Sequence, residues 1–511
     1  MVRWSTAYCI CLLCFLPCIA SVRGDSEGVE WPWSSDDEST DIVEQRQGLE
    51  EGQSVRAFRE VTVTRSTKSY DYSEVLHLST LFYEAQRSGR LPETNRIPWR
   101  GHSALFDQGR RKTDSLVGGW NDAGDNVKFL FPMAYSATVL GWGVIEYPDA
   151  YRVAGLTPYV LDSLKWAFDY FFKSHAWANR LYFQVGDAEL DHQQWVRPED
   201  VTDDRPAFSV DKDNPGSDVA SETSAAMSTC YLIYNETDPD YATTCLDEAK
   251  DLYRFATKFQ GKYPDTGSYA STGFGDELAW AAAWLYRVTN DTKYLVDAEK
   301  YYEEYNCKSR APAFGWNDKR PGLQLLMYAL TGEEDYKDHF TRFMSAWLPG
   351  GQVRYTPRGL AWRSRVGPLR YSAAAAFLAL VAADLGIETE AYRDFAVNQI
   401  HYMLGDSGRS YVVGYGLDPP TRPQHRASSC PDLKLPCTRF RDFRWEGPNH
   451  HTLYGALVGG PDKDDSFEDS RNNFAQNSVA CDYNAGFQSA VAGIRHLALI
   501  GQLREDEPEP I

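Results

Sequence analysis

Two kinds of helix-forming segment alternate along this chain, and together they leave few architectures open to it. Leu278–Tyr286 reads LAWAAAWLY and Tyr371–Leu385 reads YSAAAAFLALVAADL. A helix that is apolar on every side must be buried on every side. Ser217–Tyr234 and Gly486–Leu503 are similarly rich in Ala, Ser and Gly, small residues that let neighbouring helices approach closely. Asp291–Tyr305 and Glu388–Leu404 instead carry charge along one side, as helices of an outer layer do. Buried helices wrapped by half-exposed ones imply two concentric helical layers. Regular β alternation is scarce, with Ser410–Gly414 the best short candidate. Periodicity predicts a mostly α domain of inner and outer helices; it neither counts them nor closes a ring.

The pattern holds over residues 70–503 without a linker-like stretch, so one large domain is expected there. Arg3, the apolar run Ala7–Ala20 and the small residues up to Gly24 read as a secretory signal over residues 1–24. That run is too short for a comfortable membrane span. Residues 25–69 form an acidic, polar leader centred on Ser34–Ser39, of a composition that resists folding, and residues 504–511 form an acidic tail. The protein is therefore expected to be secreted and extracellular. Six cysteines lie beyond the signal, and an oxidising compartment allows bridges, with Cys230/Cys245 and Cys430/Cys437 the first pairs expected. Asn235-Glu236-Thr237 and Asn290-Asp291-Thr292 are N-glycosylation sequons. A formal charge of -20 argues against nucleic acid or an anionic membrane as partner and is compatible with a neutral polysaccharide. The 15 Trp and 31 Tyr suit stacking on sugars, although aromatic residues mostly fill cores.

Candidate chemistry gathers in Gly118-Gly119-Trp120-Asn121-Asp122-Ala123-Gly124-Asp125-Asn126-Val127-Lys128-Phe129. Glycines suit a tight loop that a ligand can approach, and the apolar run Phe129–Tyr147 reads as a helix starting from it. Asp122 and Asp125, three apart on such a loop, can activate a water, bind a cation or cap the helix.

Further segments accompany the loop in order: Tyr72–Leu76 with Leu81–Gly89, Trp99–Gly101, Trp195–Asp200 (WVRPED), Pro215–Asp218, and Asp276–Leu278 with Trp284–Tyr286. Leu369–Tyr371, Tyr411–Gly416, Leu453–Gly460 (LYGALVGG) and Asp482–Phe487 (DYNAGF) continue the series. Taken together, from about Tyr70 to Leu503, these segments resemble glycoside hydrolase family nine, the endo-β-1,4-glucanases. The resemblance implies an all-α (α/α)6 barrel of six inner and six outer helices, a β-1,4-glucan partner and a monomer. It implies inversion at the anomeric carbon by two carboxyl groups about 6.5–9.5 Å apart, one a base on water and one a protonated acid on the leaving oxygen. Asp125 is then the general base, and Asp122 helps hold the water. His192, Trp195, Arg370, His425, Arg426 and Tyr483 match sugar-contacting positions; His192 and Trp195 also fit purely structural roles. No cofactor is required. Some members bind calcium near the segment corresponding to Ser271–Glu277, where Asp276 and Glu277 can supply hard oxygen ligands or simply charge a helix N-terminus.

The sequence departs from the family at the acid. Where the pattern N-E-V-A-x-D-Y-N-A-G-F places a Glu, the ungapped register here has Ser478. A serine hydroxyl is no strong proton donor at neutral pH, and general acid catalysis contributes about 10²–10⁴-fold. Asp469 already matches another acidic position of the signature, so it does not stand in for the Glu. The family's P-H-H-R is Pro423-Gln424-His425-Arg426 here, so a site His has become Gln424. W-G-S-L-R has become Val366–Arg370, and W-R-G-D-S-A carries His102 in place of Asp. Two functions follow as expectations: an inverting endoglucanase with weakened or lost hydrolysis, or a non-catalytic β-glucan-binding protein.

Overall fold

The computed structural model describes residues 69–503. The signal, almost all of the acidic leader and the acidic tail lie outside the described residues. Twelve long helices follow one another: α1 (Tyr72–Ala85), α2 (Leu130–Glu146), α3 (Thr157–Ser174), α4 (Ser217–Tyr234), α5 (Pro239–Lys258), α6 (Gly275–Thr289), α7 (Thr292–Glu304), α8 (Arg320–Thr331), α9 (Glu334–Trp347), α10 (Pro368–Asp384), α11 (Thr389–His401) and α12 (Cys481–Leu499). The even-numbered helices pack in the order α2, α4, α6, α8, α10, α12 and back onto α2, so the inner ring closes. The odd-numbered helices lie outside it. This is the (α/α)6 barrel.

The residues explain which helix goes where. In α2, α4, α10 and α12 nearly every side chain is buried, those of Ser221, Ser224 and Ser228 included. Close approach needs small residues: a Cβ on Gly141 of α2 would lie 2.5 Å from Thr229 Oγ1 of α4, and one on Gly486 of α12 would lie 2.8 Å from the backbone of Ala374 in α10. Outer helix α5 buries only Ala242, Cys245, Ala249, Leu252, Tyr253, Phe255 and Ala256, a single face at helical spacing. Inside the ring, Trp142, Trp280, Trp284 and Phe377 meet edge to face. Lys319, fully buried, sits 3.5 Å from Glu222 and 3.3 Å from Glu277. An ammonium between two carboxylates keeps that buried cluster from costing the full desolvation penalty.

Ser410–Gly414 is not a strand: only Val412 pairs, as an isolated bridge to Leu457, and Gly414 turns the chain at φ +76°. The small three-stranded antiparallel sheet comes instead from Lys128–Phe129, Arg180–Val185 and Ala207–Asp211. It fastens the start of α2, and with it the aspartate loop, to the chain that follows α3. Both expected disulfides, Cys230–Cys245 and Cys430–Cys437, are formed, and Cys307 and Cys481 are buried thiols.

Candidate active site

The inner helices run in parallel, and the loops entering α2, α6, α10 and α12 meet at one end of the barrel. Asp122 and Asp125 stand in the first of these. Gly118 and Gly119 take the left-handed backbone that glycine tolerates, at φ +127° and +71°. Gly124 has no room for a side chain, since a Cβ there would lie 1.9 Å from the Gln424 carbonyl oxygen. Arg426 N–H donates to the Gly124 carbonyl at 2.9 Å, so the loop is docked on residues 424–426. Beneath it, Lys128 is fully buried, 2.7 Å from Asp107, and donates to the carbonyls of Leu116 (2.6 Å) and Gly118 (3.2 Å). Burial brings its ammonium down to about 8, against the pull of Asp107.

Asp122 is buried and accepts a short hydrogen bond from the Tyr269 hydroxyl. Burial first, then Asp125 and Asp482, push its carboxyl well above the usual carboxylate range, while the Tyr269 bond opposes them. His192 Nε2 lies 3.0 Å from Asp125 Oδ2. The remaining oxygens, Asp122 Oδ1 and Asp125 Oδ1, are buried without a protein partner. Next to His192, Asp191 is bound by Arg426 Nη1 at 2.5 Å. Asp125, Asp191 and His192 bring their ligand atoms within 4.8 Å of one another.

On the far side, Gln424 and Ser478 pair as a parallel bridge, and Ser478 Oγ–H donates to Gln424 Oε1 at 2.7 Å. The Ser478 hydroxyl and the Gln424 amide oxygen therefore satisfy each other. Asp469 lies behind this pair, accepting from Thr421 N (2.8 Å), Thr421 Oγ1 (2.8 Å), Arg422 N (3.0 Å) and Asn477 Nδ2 (2.9 Å). It clamps the segments that carry Gln424 and Ser478 and presents no spare carboxyl to the cleft. Arg370, at the start of α10, holds Asp482 at 3.2 Å and the Tyr371 hydroxyl at 2.6 Å. Its guanidinium opposes the burial that raises the Asp482 carboxyl.

Of the six expected sugar contacts, His192 and Arg370 stand nearest the surface. Trp195, His425, Arg426 and Tyr483 are buried, between 0% and 5% exposed, and face protein. Trp195 packs on Phe443 and donates through Nε1 to Ser429 Oγ at 2.9 Å. His425 Nδ1 accepts from Ser428 N–H at 3.1 Å and its Nε2 lies 2.9 Å from Gln86 Oε1, so neither nitrogen is free. Burial and the nearby Arg100 and Arg426 hold it neutral, at about 3. These four side chains brace the wall, because a planar or long side chain in a sequence motif looks the same whether it faces sugar or core.

Glu277 is turned inward against Lys319, and Asp276 Oδ2 accepts the Lys319 N–H at 2.7 Å. Glu277 Oε2 is buried without a protein partner, and burial with the adjacent Asp276 pushes its carboxyl well up. Crowded carboxylates with an oxygen to spare fit a hard cation. The residues missed by reading motifs are Tyr269 and Asp191. Nothing flags a lone tyrosine in a loop, but Asp191 was legible as the acid beside His192.

A profile of glycosyl hydrolase family 9 matches residues 72–491. The chain belongs to glycosyl hydrolase family 9. Endoglucanase A of Bacillus pumilus is 43% identical over 464 residues, covering 87% of this chain and 69% of its own length. Among solved structures, the endoglucanase of the termite Nasutitermes takasagoensis superposes with a TM-score of 0.82 at 46% identity, covering 84% of this chain and 100% of that one. A C. cellulolyticum cellulase in complex with cellobiose superposes with a TM-score of 0.79 at 38% identity, covering 84% of this chain and 99% of that one. The family 9 domain thus accounts for nearly all the described residues.

Proposed function

We propose that this family 9 domain hydrolyses internal β-1,4-glucan bonds with inversion, slowly, because residue 478 supplies no acid. The observation that carries the reading is the pair of buried carboxylate oxygens, Asp122 Oδ1 and Asp125 Oδ1, left without a protein partner on one loop. Two such acceptors suit a water, which Asp125 deprotonates as it attacks the anomeric carbon and which Asp122 orients. His192 fixes Asp125, and Tyr269 fixes Asp122. The departing sugar oxygen takes its proton from solvent, since the Ser478 hydroxyl is already donated to Gln424. The signal-like composition of residues 1–24 supports an extracellular protein. A calcium ion held through Asp276 and Glu277, in the mouth of α6, would be structural.

The test is reducing-sugar release and viscosity loss on carboxymethyl cellulose, with the anomer of the first product read by NMR. Slow release of the α-anomer by the wild type, and none by Asp125→Ala, is expected. Equal release by Asp125→Ala would remove Asp125 as base. If the wild type is silent but binds cellotetraose by calorimetry, the chain is the non-catalytic glucan binder instead.

A further inference from the structure

Two motifs remain that the active site does not absorb, the sequons at Asn235 and Asn290. We infer that both asparagines are N-glycan acceptors and that their sugars project from the end of the barrel away from the cleft. The inference rests on the secretory reading, since only a chain that enters the secretory lumen meets the transferase.

The placement is the same in both cases. Asn235 follows the last residue of inner helix α4, and Asn290 follows the last residue of inner helix α6. Each lies in the short link to the next outer helix. Asn235 and Thr237, and likewise Asn290 and Thr292, are exposed. No side-chain hydrogen bond engages either amide or either threonine hydroxyl. The substrate-facing loops all enter the N-terminal ends of inner helices, as the Tyr269–Asp122 and Arg370–Asp482 bonds require. The C-terminal ends meet at the opposite end, where Arg287 of α6 pairs with Glu146 of α2 at 2.7 Å and the Tyr147 hydroxyl reaches Asp384 of α10 at 3.0 Å. The inner helices α4 and α6, of 18 and 15 residues, are about 27 and 22 Å long, so a glycan at either cap starts about that far from the cleft. Both glycans can therefore be carried on the folded barrel without touching bound glucan.

In the transfer, the asparagine Nδ2 forms a bond to C1 of an oligosaccharide carried on a lipid diphosphate. The C1–oxygen bond to the diphosphate breaks, the lipid diphosphate leaves, and the Nδ2 proton passes to solvent through the transferase. Asn290 has a competing purpose, because it caps α6 in the left-handed region at φ +53°, which asparagine tolerates well. Asn290→Gly keeps that cap and removes the acceptor; Thr292→Ala keeps the asparagine and breaks the sequon.

The full chain is expressed in insect cells, collected from the medium and treated with peptide N-glycosidase. Two mass steps are expected, with Asn235→Gln and Asn290→Gly each removing one, Thr292→Ala matching Asn290→Gly, and hydrolytic activity or glucan binding unchanged. A secreted protein whose mass does not respond overturns the inference. If the chain stays in the cell, the same variants are expressed behind a heterologous signal peptide. Glycosylation then upholds the acceptor sites while refuting the native signal, and its absence overturns the sites themselves. Loss of glucan binding on glycosylation would overturn the placement.

Discussion

Replacing Ser478 by Glu should raise hydrolysis of carboxymethyl cellulose by about 10²–10⁴-fold, which is the usual contribution of a general acid. That corresponds to roughly 3–5 kcal/mol of barrier. The structure says why the new carboxyl should be well placed. Backbone bonds pin residue 478 on both sides, Gln424 N–H to the Asn477 carbonyl at 2.8 Å and Gly459 N–H to the Ser478 carbonyl at 2.9 Å. The Cβ direction is therefore kept, and two more carbons carry the acid about 2.5 Å further into the cleft. Two effects then compete over its protonation. Ser478 is only 7% exposed, so burial favours the neutral acid. The Gln424 amide, now facing a carboxylate, can donate to it and favour the ion, which pulls the gain toward the lower end. The double change Ser478→Glu with Gln424→His should recover more. The discriminating assay pairs carboxymethyl cellulose with 2,4-dinitrophenyl β-cellobioside, whose phenolate leaves without a proton. Wild type and Ser478→Glu should differ on the first and agree within about threefold on the second. No gain on carboxymethyl cellulose, with cellotetraose binding unchanged, would refute the assignment of residue 478 as the missing acid. A wild type already fast on cellulose would refute it too, since another acid must then be at work.

Three further outcomes are expected. His425 is held neutral at about 3 against an ordinary 6.5, so the folded state binds fewer protons than the unfolded one below 6.5; its stabilisation is complete above that pH and is lost as pH falls through the window toward 3. Between pH 6.5 and 5 this is about 2 kcal/mol, and urea unfolding of His425→Gln should show a flatter pH dependence than wild type; parallel curves would contradict the buried neutral ring. Asp469→Ala removes four accepted bonds that align residues 421–422 with Asn477, and should cost about 1–3 kcal/mol by denaturant unfolding while lowering glucan affinity; unchanged stability would mean that the clamp is redundant. Chelation by EDTA should lower the melting temperature and calcium restore it, and Asp276→Ala should abolish the response; a wild type indifferent to both would leave Lys319 as the sole partner of Glu277.

The concentric helical layers were legible because a helix rich in Ala, Ser and Trp, with no polar side, has nowhere to go but inside, and α4, α6, α10 and α12 are such helices. The aspartate loop was legible because only glycine fits against the Gln424 carbonyl, and the sequence shows that glycine directly. The two disulfide pairs were close in sequence and formed as expected. The bases of the other features are not local. Ser410–Gly414 has the composition of a strand, but it meets residues 455–458 only around Val412 before Gly414 turns the chain, while Arg180–Val185 gains its strand character from two partners distant in sequence. A motif specifies which residue stands at a position, not which way it faces. Trp195, His425 and Tyr483 were therefore indistinguishable from sugar contacts until Phe443, Gln86 and the α10 entry were seen packed around them. Tyr269 carries no motif and reaches Asp122 across 147 residues. Local sequence determined the helices, their burial and the loop that holds Asp122 and Asp125, because periodicity and backbone freedom are properties of neighbouring residues. Which carboxylate meets which partner was decided only by the closed ring, because the loops that build the site come together only when α12 returns to α2.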